Sequence, residues 1–313
     1  MAFPSSFGKF SGEPDRILKE AGLEVTKYYK AGMTEDEVIE KLQGYDAVIL
    51  GIEPMTAKVM EACPDLKVIA RYGVGMDNVD QDAAKRRGIL TFNTPGANAN
   101  AVADFTFGMI LDLARSISAA DRDLRGGKVK KYTGYPVYGA VIGIVGLGAI
   151  GKGVARRAEG FGMKIMAYDV YWDDSFAQEH RVQKASLDEI YQDADFITLH
   201  CSLNDETRNM IGMNELKKMK KTAFLINNAR GGLVNEEDLN AALREGIIAG
   251  AGMDAFCKEP AVDSPLLELD QVTASPHIAG SSIDSVNNMG IFSARKAVDG
   301  LAAWENNRKD NKK

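Results

Sequence analysis

Short apolar runs separated by longer segments with helical spacing recur along almost the whole chain. The runs "YDAVILG" (45–51), "LKVIARYG" (66–73) and "GILTFNTP" (88–95) read as strands. From Asn98 to about Ile117, apolar residues at Val102, Phe105, Met109, Leu113 and Ala114 keep to one helix face. A glycine-, lysine- and tyrosine-rich connection follows, "RGGKVKKYTGYPVYG" (125–139). The rhythm then restarts with "AVIGIVG" (140–146), "MKIMAYD" (163–169), "DFITLHC" (195–201), "TAFLINN" (222–228), "IIAGAGMD" (247–254) and "QVTAS" (271–275). These six strands, with helices between them, predict a complete doubly wound sheet. The alternation as a whole predicts an α/β protein with parallel sheets. A last helix spans about 282–306, and the opening strand is short, since only Met1–Phe3 precede the turn-like "PSSFGK".

Totals narrow the picture. At 313 residues and 45% hydrophobic content, the chain suits one large or two ordinary domains. A net charge of -6 with interspersed signs gives no basic face for nucleic acid and mainly serves solubility. No apolar stretch approaches a membrane span, and "MAFPSSFGKFSGEPD" has no secretory core. Cys63, Cys201 and Cys257 are odd in number and far apart, so they read as free thiols in a reducing compartment, the cytosol. With three scattered cysteines and three histidines, no metal site is expected.

"GIVGLGAIGKGVA" (143–155) places Gly146, Gly148 and Gly151 in G-x-G-x-x-G spacing between a strand and a helix. The first glycine allows the tight turn, the second lets backbone approach a pyrophosphate, and the third permits close helix–strand packing. Amides near Ala149 and Ile150 at the helix start suit a diphosphate. Asp169 ends the next strand, 18 residues beyond Gly151, where a carboxylate binds ribose hydroxyls and repels a 2′-phosphate. No Arg follows in "VYWDD", so NAD is favoured over NADP.

Three polar residues stand at later strand ends: Arg230 after "FLINNA", Glu259 in "MDAFCKEP", and His277 in "ASPHIAGSS". Ligands of open parallel sheets sit outside the carboxyl ends of the strands. Hydride transfer needs a partner that moves the proton, and His277 fits. Glu259 would stabilise its imidazolium, while the Arg230 guanidinium would hold a substrate carboxylate and polarise the carbonyl. Each residue taken singly reads as surface or structure; the constellation is what carries the chemistry.

The motifs "RYGVGMDNVD" (71–80), "NTPGANANAVADFTFGMILDLAR" (93–115), "GIVGLGAIG", "INNARGGLVNEEDL" (226–239), "MDAFCKEP" and "SPHIAGSS" together resemble the D-isomer-specific 2-hydroxyacid dehydrogenases, in their phosphoglycerate dehydrogenase-like branch. That resemblance implies two doubly wound parallel-sheet domains: a Rossmann NAD-binding domain over 98–282, and a discontinuous flavodoxin-like substrate domain formed by 1–97 with 283–313. It also implies His277 as proton donor, Glu259 as its partner and Arg230 as the substrate-orienting residue. Arg71 with the Val74 and Gly75 amides would meet the substrate carboxylate or phosphate, with Asn98 nearby. Thr94, Asn228, Asp254 and Gly280 would lie on the nicotinamide side, and Cys201 and Thr207 on the adenosine side. A homodimer formed through the NAD domain is implied as well.

Several positions depart from the family: Ser202 replaces a usual proline, Asn228 a Thr or Cys, and Asp104 a Glu. Tyr72 replaces a small residue and predicts a substrate pocket that is narrower or shaped for another side chain. The chain ends at Lys313, so a C-terminal regulatory domain is not expected.

The nominal substrate is D-3-phosphoglycerate, with Lys9, Lys30 and Arg71 as the candidate cations. Reduction of hydroxypyruvate or glyoxylate is the alternative. A different class, an NAD(H)-sensing corepressor-like binding protein, shares the fold and the triad, but no long flanks for partner motifs are seen. A formate dehydrogenase is disfavoured, because that branch has Gln where Glu259 stands.

Overall fold

A computed structural model describes residues 1–30 and 32–310. Two compact units divide them: Met1–Asn98 together with the segment from Ser281 onward, and Ala99–Gly280.

In the second unit seven parallel strands form one sheet. They are β4 (Val141–Val145), β5 (Lys164–Tyr168), β6 (Val182–Lys184), β7 (Phe196–Leu199), β8 (Phe224–Asn227), β9 (Gly250–Met253) and β10 (Val272–Ala274), numbered after the three strands of the first unit: β1 (Ala47–Leu50), β2 (Val68–Arg71) and β3 (Leu90–Phe92). The order is β10-β9-β8-β7-β4-β5-β6, so the chain steps outward from β4 and then crosses to β7 on its other side. That reversal is the switch point at which doubly wound sheets bind ligands. Strands covered on both faces need apolar residues at successive positions. Accordingly Phe224 and Ile226 enter one core cluster while Leu225, pointing the other way, enters the second.

Two expectations need correction. The sheet has a seventh strand, β6, which the apolar pattern did not show, because only Val182 of its three residues is buried. The helix expected to reach about Ile117 ends at Arg115, and Ser116 turns left-handed at φ 52° before a second helix, Ile117–Arg125. That second helix buries no residue, so no apolar stripe announces it.

The first unit holds the three-stranded parallel sheet β1-β2-β3. Ala2 forms single parallel bridges to both Lys27 and Ile49, which extends the spatial order to Lys27, Ala2, β1, β2, β3. In chain order this is the 2-1-3-4-5 winding of flavodoxin-like sheets, with the first two strands reduced to bridges. The helix Ile283–Asp310 returns to pack on this sheet, and Val286, Met289, Ala294 and Ala297 join its core. Local signals set the shorter helices: Thr34 and Ser186 each make a reciprocal capping box with a glutamate three residues on.

Tyr72 lies in this same core. Its ring packs edge-on to Phe7, and its hydroxyl donates to the Val286 carbonyl at 2.7 Å. The ring turns inward, where an apolar cluster and a carbonyl satisfy both ends of the side chain.

Candidate active site

The β4 turn is built around backbone contacts that leave no room for side chains. A Cβ at Gly151 would stand 2.0 Å from the Gly146 carbonyl oxygen, and one at Gly146 would stand 2.8 Å from the Cys201 nitrogen. Gly146 also has φ 98°, a conformation that disfavours any side chain. At Gly148, by contrast, a Cβ would meet nothing within 4 Å. Gly148 caps the helix Ala149–Gly160 without a side-chain hydrogen bond, so the first amides of the helix, those of Ala149 and Ile150, have no capping side chain. An uncapped helix start beside a glycine turn receives a diphosphate through its N–H groups and dipole.

Asp169 follows β5. Its Oδ2 accepts from the Leu147 amide at 2.5 Å and its Oδ1 from Tyr171 at 2.7 Å. Each oxygen keeps a second lone pair for a ribose hydroxyl. These residues fit a dinucleotide with an unphosphorylated ribose.

Adjacent strands β8, β9 and β10 carry the chemical residues. Asn227, the last residue of β8, closes the next turn by accepting from the Ala229 amide at 3.2 Å and donating to the Arg230 carbonyl at 2.8 Å. The Arg230 Nη1 donates to the Ala229 carbonyl at 2.7 Å. Gly231 lets this turn touch the next loop, since a Cβ there would stand 2.1 Å from the Phe256 backbone. On that loop the Phe256 amide donates to Glu259 at 3.1 Å.

Asp254, one residue past β9 and 1% exposed, shapes the segment after β10. Its carboxylate accepts from Ser275 Oγ at 2.6 Å and from the Ile278 and Ala279 amides, each at 2.8 Å. Its carbonyl accepts from the His277 amide at 2.9 Å. This clamp holds His277 at φ 55°, left-handed backbone that non-glycine residues seldom adopt.

The outcome is a contact between residues 18 apart in sequence: His277 Nδ1 stands 2.9 Å from both Glu259 carboxylate oxygens. Burial pushes the Glu259 carboxyl up. Hydrogen bonds from His277 and Phe256, with the charges of His277 and Arg230, outweigh burial and hold it below the ordinary carboxylate range. With Nδ1 committed to Glu259, Nε2 is the nitrogen that can exchange a proton.

The other expected positions divide. Asn228 is buried and donates to Thr106 at 3.1 Å, while its Oδ1 has no partner, an unmet acceptor of the kind an amide donor satisfies. Thr207 spends its hydroxyl locally, donating to the Ser202 carbonyl at 2.7 Å and accepting from the Asn204 amide at 2.9 Å. Cys201 is half-buried against Met210, and Gly280 lies half-buried beyond the His277 loop. Asp104 pairs with Arg157 at 2.7 Å.

On the first unit, Arg71 ends β2, donating to the Tyr72 carbonyl at 2.5 Å and to Asn78 at 3.3 Å. No hydrogen bond among the described residues takes the Val74 or Gly75 amide. Thr94 Oγ1 and Asn98 Oδ1 are buried without partners. Lys30 is ion-paired with Glu37, and Lys9 lies over the Phe10 ring.

Sequence reasoning passed over Glu53, a carboxylate 6% exposed just past β1, and His200, whose ring nitrogens are buried without partners after β7. A charged residue ending the apolar run "AVILGIE" was the one available signal for Glu53. Among the described residues no group of three potential metal ligands occurs, and no helix is long and apolar enough to cross a membrane.

The model of the D-isomer specific 2-hydroxyacid dehydrogenase NAD binding domain matches residues 107–279. The chain is 40% identical over 299 residues to a glyoxylate reductase of Korarchaeum cryptofilum, covering 90% of each protein. It is also 40% identical over 286 residues to a D-3-phosphoglycerate dehydrogenase of Methanocaldococcus jannaschii, covering 90% of this chain and 54% of that relative. Among solved structures, the TT0316 protein of Thermus thermophilus superposes with a TM-score of 0.88 at 33% identity, covering 96% of each chain.

Proposed function

Because the chain belongs to the D-isomer specific 2-hydroxyacid dehydrogenases, NAD-dependent oxidoreductases acting on CH–OH donors, we propose that Arg230, Glu259 and His277 perform its chemistry on a small 2-oxo acid. NADH, when bound, supplies the hydride. His277 Nε2 gives the proton that the carbonyl oxygen acquires as its carbon is reduced. Glu259 fixes the ring through Nδ1 and places its negative charge beside the ring that hands over the proton. Arg230 offers a planar fork of donors to the substrate carboxylate. In the oxidative direction His277 takes the proton from the hydroxyl.

The observation that carries this reading is the double 2.9 Å approach of Glu259 to His277 on the sheet that also bears the glycine turn. Reduction of an unphosphorylated acid is the first reading of the substrate, supported by the match to the glyoxylate reductase along 90% of both chains. Oxidation of D-3-phosphoglycerate is the second, favoured by the 40% identical dehydrogenase of that name.

The test is NADH oxidation with glyoxylate, hydroxypyruvate, pyruvate and phosphohydroxypyruvate. At least one is expected to be reduced, and H277A should lower that rate by about 10²–10⁴-fold with NADH affinity kept. Silence across the panel would return weight to an NAD(H)-responsive binding protein.

We further propose a homodimer formed through the second unit. The helix Ile117–Arg125 buries nothing, and Leu124, Val129 and Tyr138 on it and the following connection are 67%, 92% and 84% exposed. Apolar side chains left exposed along one stretch suit contact with a second copy of the chain.

A further inference from the structure

We propose that Glu53 determines specificity, favouring a small unphosphorylated 2-oxo acid over one that carries a second anionic group. This rests on the hydride-transfer reading and deepens it by naming the substrate class.

The carboxyl edge of the three-stranded sheet carries opposite charges in one hydrogen-bonded cluster. Glu53 stands three residues past the end of β1, buried, with its carboxylate folded back to accept the Gly51 amide at 2.7 Å. Arg71 ends β2, paired alongside β1. Asn78 ties the two together: its amide donates to the carbonyls of Gly51 at 3.1 Å and Glu53 at 2.7 Å, while its oxygen accepts from Arg71 Nε at 3.3 Å. Burial pushes the Glu53 carboxyl up, and the Arg71 charge acts on it in the opposite sense, as expected of neighbours.

This arrangement matches a single carboxylate. Arg71 and the Val74 and Gly75 amides offer one cation and two N–H groups. A phosphate would add about two further negative charges. Beside a buried carboxylate those charges are repelled, and like charges so placed discriminate by about tenfold or more. Of the other cations considered, Lys30 is paired with Glu37 and Lys9 lies over Phe10.

The plain alternative is that Glu53 only ties its own turn. E53Q separates the two, because glutamine keeps an oxygen for the Gly51 amide and loses the charge. Steady-state NADH oxidation by the full chain, with hydroxypyruvate and with phosphohydroxypyruvate, is the experiment. The wild type should show kcat/KM about tenfold or more in favour of hydroxypyruvate. E53Q should move that ratio about tenfold toward the phosphorylated acid, through KM, while E53D keeps it on the wild-type side. A wild-type preference for phosphohydroxypyruvate, or an unmoved ratio in a folded E53Q, overturns the proposal. Should E53Q fail to fold, inhibition of the wild type decides: 3-phosphoglycerate should be about tenfold weaker than glycerate, and equal or stronger inhibition overturns it. Turnover with the wrong preference removes only this inference, whereas no turnover with any acid removes the hydride-transfer reading and this inference with it.

Discussion

Two imidazoles follow strand ends in the larger unit, and their surroundings give them different properties. The His277 side chain is 44% exposed, with Nδ1 against Glu259. His200 has both ring nitrogens buried and unpartnered, and burial pushes its pKa down to about 3. A buried neutral histidine makes stability depend on pH in a definite sense. Its folded pKa lies below the unfolded value of about 6.5, so the unfolded chain takes up the proton first. The stability it sustains is complete above that value and is lost as pH falls from about 6.5 toward 3. By pH 5 the loss amounts to about 2 kcal/mol. H200L should therefore show a smaller stability drop between pH 7 and pH 5 than the wild type, read by calorimetric melting; equal drops would contradict it. From the sequence alone, His277 stood out by its place in "SPHIAGSS", whereas "LHCS" gave His200 no distinguishing mark, because burial depends on distant residues.

At the scale of elements, the glycine turn and the helix Ala149–Gly160 act as one device. The 2.0 Å approach of a Cβ at Gly151 to the Gly146 carbonyl means that even alanine must displace the backbone. G151A is expected to destabilise by about 1–3 kcal/mol and to weaken NADH binding by about tenfold, measured by fluorescence titration. Normal binding at normal stability would show that this packing is not what shapes the turn. Such an element is legible because its constraints are local: a turn, a close approach and a helix start within a few residues. The strands were legible where apolar residues ran on, as in β4, β7 and β8. β6 was not, since one buried valine makes no pattern. The segment 117–125 was missed for the same reason, its apolar side chains being exposed.

For the whole molecule, the exposed apolar side chains Leu124, Val129 and Tyr138 bear on assembly. Wild-type protein should elute with twice the chain mass in light-scattering chromatography, and L124D with V129D should shift it to the single chain mass. A monomeric wild type would end the dimer proposal. The same scale holds the discontinuity of the smaller unit, which takes its last helix from beyond Ser281, after the whole larger unit has been completed. No local pattern states that connection; only the resemblance implied it.

The strand–helix alternation, the glycine turn, the carboxylate after β5 and the types of residue at the strand ends follow from the sequence by itself, because periodicity and turn chemistry are fixed between near neighbours. The tertiary structure alone decided which of those groups meet. Glu259 finds His277 through the Asp254 clamp and the close approach at Gly231, and Tyr72 turns inward to a carbonyl 214 residues away. Glu53 is enclosed beside Arg71 by a pairing of strands that neither segment specifies alone. Partnership and burial are set by groups far apart along the chain, and only packing brings those together.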